Sequence, residues 1–195
     1  MKKSVLLLLV FTVFSPFAAL ENLSATTYEQ ACRVMKAENI VSGDFIQKRT
    51  IAANGRTLKS SGVFTVSAEK IIWETTKPIK NKVIITQGKI THTDSKGKAT
   101  ALDGTENAMF ELSSKMIASL LSGNREEFEE YFEVDFISAS DGESWTMKLT
   151  PKDSTFSQGV SHINLAGNSK VLNSMETILR TKDSILYEFT NQRFN

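Results

Sequence analysis

Ser61-Gly62-Val63-Phe64-Thr65-Val66, followed after Ser67-Ala68-Glu69-Lys70 by Ile71-Ile72-Trp73-Glu74-Thr75-Thr76-Lys77-Pro78, decides how the chain is read. Gly62, Phe64 and Val66 fall on one face at a period of two, and so do Ile71, Trp73 and Thr75, which predicts two consecutive half-buried strands. The second run stops at Lys77-Pro78, because proline has no N–H to give to a ladder. Upstream, Phe45, Gln47, Arg49 and Ile51 alternate with Ile46, Lys48 and Thr50, and Asn54-Gly55 offers a turn. Downstream, Val83-Ile84-Ile85 and Ile90 predict two short strands around Gln87-Gly88. Lys96-Gly97 and Asp103-Gly104 bracket a weaker, polar one.

Three segments read as helices. Thr26 or Thr27 can cap the first, with Glu29 or Gln30 completing a capping box, and Ala31, Val34, Met35 and Glu38 follow before a stop at Asn39. In the second, Met109, Leu112, Met116, Ser119 and Leu120 share a face with Ile117 and Leu121 beside them, and Gly123-Asn124 ends it. A short acidic helix runs from Arg125 to Glu130. The period of two then returns at Phe132, Val134 and Phe136. It continues through Trp145, Met147 and Leu149, then Ile163 and Leu165, then Val171 to Leu179, and last Ile185, Tyr187 and Phe189. Turns at Asp141-Gly142, Gly167-Asn168 and Lys182-Asp183 separate these runs, with no helix expected between them. Hairpin spacing of this kind is an antiparallel meander, since parallel neighbours need long crossovers. One domain of class α+β, mainly β, follows: a large curved antiparallel sheet carrying two or three helices.

The 195 residues hold 23 Lys+Arg against 22 Asp+Glu and a single cysteine. That balance argues against a general nucleic-acid binder, and one cysteine excludes an intramolecular disulfide framework. Cys32 follows Glu29-Gln30-Ala31 and reads as a buried helix residue. Lys2-Lys3, the apolar run from Val5 to Phe14 and Ser15-Pro16-Phe17-Ala18-Ala19 describe a secretory signal peptide, too short for a membrane span of roughly 20 residues. Cleavage after Ala19 leaves residues 20–195 as one exported domain.

The residues from 43 to 89 resemble one family in order and spacing. Gly43-Asp44-Phe45-Ile46-Gln47 looks like the Phe-x-Gln strand that opens the outer-membrane lipoprotein carrier family. Ser61-Gly62-Val63-Phe64 through Trp73-Glu74-Thr75-Thr76-Lys77-Pro78 is similar to its Gly…Trp-x-x-x-x-Pro core, and Val83 to Lys89 to its next hairpin. The segment 109–121 matches its mid-chain helix in position and character. The resemblance implies an unclosed, strongly bent antiparallel barrel whose open side is covered by helices as a lid. It further implies a periplasmic protein that takes lipoprotein acyl chains into an apolar cavity and moves them from the inner to the outer membrane. An energised inner-membrane release complex and an outer-membrane acceptor are the implied partners of a monomeric carrier with no cofactor.

On that reading Phe64, Val66, Ile71, Trp73, Val83 and Ile85 line the cavity from the sheet, and Met109, Met116, Ile117, Leu120 and Leu121 face it from the lid. Methionine suits such a lid because it repacks around irregular ligands. One departure concerns gating. The family carries an Arg-Pro pair just before the tryptophan strand, with the arginine implied to latch the lid. Here the turn is Ser67-Ala68-Glu69-Lys70, and the gating candidate is Lys70, whose compact ammonium does not reproduce a planar five-donor guanidinium.

Burial of a sixteen-carbon chain is worth roughly 12 kcal/mol, and extracting it from a bilayer requires outside energy. No Gly-x-x-x-x-Gly-Lys-Ser/Thr run is present to hydrolyse a nucleotide, so a carrier here is passive. Rival chemistries are thin. His92 and Asp94 share a strand face and His162 lies elsewhere, with nothing to make them converge on a metal or a proton. No Gly-x-Ser-x-Gly elbow occurs, and the reading is non-enzymatic. Glu126-Glu127-Phe128-Glu129-Glu130-Tyr131-Phe132 is expected to be a solvated helix docked through its aromatics. The alternatives of another functional class are an exported sensor of lipids or lipoproteins, and a carrier of some other amphiphile on the same scaffold.

Overall fold

The computed structural model describes residues 25–36, 40–86, 89–103 and 124–194. Helix α1 is Tyr28–Val34. It is followed by β1 (Val41–Ile51), β2 (Arg56–Val66), β3 (Lys70–Lys77), β4 (Asn81–Thr86), β5 (Lys89–Thr93) and β6 (Ala99–Asp103). The second half holds α2 (Arg125–Tyr131), β7 (Phe132–Ser138), β8 (Trp145–Pro151), α3 (Ser154–Gly159), β9 (Val160–Gly167), β10 (Leu172–Leu179) and β11 (Ser184–Phe194). The eleven strands form one sheet in the order β6-β5-β4-β3-β2-β1-β11-β10-β9-β8-β7, with every pairing antiparallel. The meander is thus cut into two runs of hairpins and rejoined where the first strand pairs with the last. Strands β6 and β7 are its edges, and the sheet does not close. The expected helix at 109–121, with Met109, Met116, Ile117, Leu120 and Leu121, lies outside the described residues.

Local chemistry accounts for the element ends. Thr27 caps α1: its hydroxyl accepts from the Gln30 N–H, and the Gln30 side chain accepts in return from the Thr27 N–H. The Asn124 side-chain oxygen caps α2, accepting from the N–H groups of Glu126 and Glu127. Helix α1 stops at Val34, before the expected Asn39. Helix α3 is a correction to the expectation of uninterrupted strands. Asp153 accepts from the N–H groups of Thr155 and Phe156, and this cap holds one and a half turns of residues with no apolar period.

Directly paired residues of antiparallel strands share a face, so the register traces the rows of the concave side. One row runs Phe136, Met147, Leu165, Met175, Tyr187 and Gln47 across β7 to β11 and into β1. Another runs Phe64, Trp73, Val83 and His92 across β2 to β5. Over the second half this face is filled. Ala31 and Cys32 of α1 and Phe128 of α2 close on Phe132, Trp145, Met147, Leu149, Ile163 and Leu165 in one buried cluster. Thr26 pins the start of α1 to the β7–β8 turn, its N–H and hydroxyl donating to the carbonyl of Gly142 and its hydroxyl also to that of Glu143.

Glycines let rings and backbones approach. At Gly62 the β2–β3 register slips, and a Cβ there would overlap the Glu74 carbonyl. At Gly167 the Trp145 ring occupies the space a side chain would need. Gly55 differs: it has φ +67° and open space around it. Gly62→Ala is therefore expected to cost about 3 kcal/mol, the upper end of overpacking, and Gly55→Ala about 1 kcal/mol of left-handed strain. Denaturant midpoints of the two variants measure the difference.

Burial also sets how the core responds to alkali. It pushes the Cys32 thiol up to about 11 from an ordinary value of 9.0 and raises the Tyr28 hydroxyl as well. A group held protonated by the fold stabilises it fully below its unfolded pKa, and that stability is lost as pH rises towards the folded value. Stability should thus fall by roughly 3 kcal/mol between pH 9 and 11 on account of Cys32. In Cys32→Ala the onset should move above pH 10, where Tyr28 takes over, as read from urea midpoints at stepped pH.

Candidate functional site

Among the described residues, the first half of the concave face is not filled. Between β1–β4, β9–β11 and the last residues of α1 lies a cavity of about 400 Å³. That exceeds the ~150 Å³ of an engineered apolar cavity that stays dry and accepts benzene, and it lies within the range of small-molecule pockets. Among the described residues its lining is apolar except for Gln192 and the Tyr187 hydroxyl. Gln192 is already engaged, donating from Nε2 to the Leu172 carbonyl at 2.8 Å.

The wall is aromatic, and Trp73 is its centre. Its ring lies 4.9 Å from Phe45, 5.7 Å from Phe64, 5.1 Å from Tyr187 and 5.9 Å from Phe189. Phe45 is fully buried beneath this layer. The other four rings reach the cavity itself. Edge-on contacts of Trp73 with Tyr187 and Phe189 are the geometry favoured by aromatic quadrupoles. A ligand therefore meets rings already braced by one another. The Trp73 indole N–H is buried with no acceptor among the described residues, a cost of about 1–3 kcal/mol that a well-filled core seldom carries. Burial in this apolar layer also raises the Tyr187 hydroxyl.

Gly43 makes room for the wall. A Cβ there would strike the Phe64 ring and the Thr190 carbonyl, so Phe64 lies flat over the β1 backbone. The cavity runs to the strand ends. Val41, Val66, Ile71, Ile85, Leu172 and Phe194 are the first or last residues of their strands, or next to them, at one end of the sheet, and all line it. Phe194 is 48% exposed, so the cavity opens to solvent there. Val34 and Met35, at the end of α1, complete the lining.

All six sheet residues expected from the sequence, Phe64, Val66, Ile71, Trp73, Val83 and Ile85, line this one cavity. Lys70 is not brought to it. Ile71 faces the cavity, so Lys70, opposite Thr86, sits at a register position of the convex face. Its backbone closes the β2–β3 turn with Ser67, each N–H bonding to the other residue. His92 is on the concave face beyond Val83, while His162 is next to Ile163 on the convex face beside Lys148 and Glu176; burial and then Lys148 lower its pKa. Asp94 is used by a turn, accepting from the N–H groups of Lys96 and Lys98. The two histidines are thus not brought together. Among the described residues no group of three His, Cys, Asp or Glu could hold a metal ion.

Sequence reading missed the wall contributed from the far end of the chain: Leu165, Leu172, Met175, Tyr187, Phe189 and Phe194. Their alternation was legible, but not their partner, because nothing local says that β11 lies against β1. A second depression of about 630 Å³ lies on the convex face around Asp135, Lys148, Asn164 and Glu176. Its lining mixes these charged and polar side chains with Ile137, Ala166 and Leu186.

The chain matches the family described as outer membrane lipoprotein carrier protein LolA over residues 37–195. A search of curated proteins found no match. Among solved structures it is similar to a LolA superfamily protein from Nitrosomonas europaea, at 10% identity, with 86% of this chain and 91% of that chain covered and a TM-score of 0.44. It is similar also to a DUF1329 family protein from Desulfovibrio piger, at 11% identity, 88% and 94% coverage and a TM-score of 0.44. Family membership rests on the sequence match and not on these structural likenesses. On that match, together with an unclosed sheet bent around an apolar cavity, the chain belongs to the outer membrane lipoprotein carrier protein LolA family.

Proposed function

We propose that this protein is a periplasmic carrier that takes acyl chains of lipoproteins, or of a similar amphiphile, into the cavity beneath Trp73 and shields them in transit between membranes. The observation that carries the reading is the contrast between the two halves of one concave face. Among the described residues, the half under α1 and α2 is packed solid, while the half walled by Phe64, Trp73, Tyr187 and Phe189 is left open and apolar. An ordinary core would fill both, since each void forfeits contacts at its lining. Residues 1–19 act as the export signal and 20–195 as the carrier domain. Among the described residues no helix is long and apolar enough to cross a membrane.

The mechanism uses no bond chemistry. Chain burial contributes about 0.8 kcal/mol per methylene, and the cavity offers almost no polar group that would have to be desolvated without a partner. The braced rings supply a preformed surface, which lowers the ordering cost of binding. Loading is driven by an energised inner-membrane complex, and release by an outer-membrane acceptor that holds the chains more tightly. Lys70, on the convex side, does not stand in for the family's latch.

The two tryptophans make the test direct, because Trp73 walls the cavity while Trp145 is 1% exposed in the filled half and donates to the Asn168 carbonyl. Acyl chains brominated along their length quench indoles that they touch. In Trp145→Phe such a chain should quench most of the remaining emission; in Trp73→Phe it should quench little. Val83→Glu, a carboxylate in the apolar wall, should weaken uptake by at least ten-fold while leaving the Trp145 core intact. Equal quenching in both tryptophan variants, or no lipid uptake where a known carrier loads, would remove the proposal.

A further inference from the structure

The end of the sheet opposite the cavity mouth carries a concentration of positive charge that the carrier reading does not use. Lys77 ends β3, and Lys80 and Lys82 follow on the β3–β4 turn and the start of β4. Lys96 and Lys98 sit on the β5–β6 turn. Strands β3 to β6 are consecutive in the sheet, so these two turns stand about 10 Å apart at the usual strand spacing. Lys59 joins them from β2, just beyond Ser61, which pairs with Lys77.

Among the described residues, two carboxylates lie among the six lysines, so positive charge stays in excess there. Glu74 pairs with Lys82 at 3.5 Å. Asp94 accepts from the backbone N–H groups of Lys96 and Lys98 at 2.9 Å each. The side chains of Lys59, Lys77, Lys80, Lys96 and Lys98 all belong to exposed residues. At the tip of the β3–β4 turn, between Pro78 and Lys80, Ile79 is 64% exposed.

We infer that this end docks on an anionic lipid surface. A flat field of negative headgroups complements lysines spread over neighbouring turns, each worth about five-fold in partitioning near such a surface. An isoleucine at the tip of a convex turn enters a headgroup layer without needing a preformed pocket, whereas a protein partner would have to supply one. Docked this way, the protein points its cavity mouth away from the bilayer. The inference stands on the lysines and Ile79 alone and does not require that the cavity bind lipid.

The test uses the full chain, freed of its export signal, and co-sedimentation with vesicles of phosphatidylcholine containing phosphatidylglycerol, against vesicles of phosphatidylcholine alone. Binding is expected only with the anionic lipid and should fall steeply with added salt. Lys77→Ala/Lys80→Ala/Lys96→Ala should weaken it by about 100-fold, and Ile79→Ser by a few-fold. Lys70→Ala/Lys89→Ala/Lys170→Ala, at the mouth end, should leave it unchanged, with melting temperatures confirming that both triple variants fold. Equal binding to neutral vesicles, loss of binding in the mouth-end variant instead, or capture by poly-glutamate with indifference to anionic vesicles would each overturn the inference, the last in favour of an acidic protein.

Discussion

Everything about the interior depends on one ladder, the pairing of β1 with β11. It sets Phe45 opposite Phe189 and Gln47 opposite Tyr187, and so brings rings from the two ends of the chain onto one face. Each run of hairpins alone would be an ordinary meander with one apolar side. Joined at their first and last strands, they become a single eleven-stranded surface whose twist bends it around a shared interior. The free edges then fall at β6 and β7, and residues 104–123 connect one edge to the α2–β7 unit at the other.

The interior is divided by what each half presents. In the second half, large side chains from β7 to β9 meet two short helices that sit directly on them, and packing reaches the solid state usual for protein cores. In the first half the large side chains are spent on one another. Trp73 touches four rings, so the aromatic layer is thick and self-supporting. A wall that braces itself does not depend on a plug to hold its rings in place. Glycines at 43 and 167 belong to the same economy of space, since each gives up a side chain so that a ring can lie against the backbone.

Much of this was legible. Alternation in β2, β3, β8 and β11 was strong because each strand has one face in the interior and one in water. The same alternation picked out Phe64, Val66, Ile71, Trp73, Val83 and Ile85 as a common face. Helix α3 was not legible as apolar period, since Ser154-Thr155-Phe156-Ser157 are poor helix formers; the Asp153 cap was its one local sign. Lys70 drew notice for its position before the tryptophan strand, yet a shift of one residue in a strand reverses the face, and it stands on the convex side.

Composition and periodicity by themselves determined the class, the antiparallel order within each run of hairpins, the burial of Cys32 and the inward set of the first half, because these follow from backbone geometry and short-range sterics. Only the tertiary structure decided which strand meets β1, that Tyr187 and Phe189 share a wall with Trp73, and that, among the described residues, one half of the concave face is filled while the other stays open. Those outcomes are properties of long-range pairing and of summed side-chain volume, and neither quantity is carried by any local stretch of the chain.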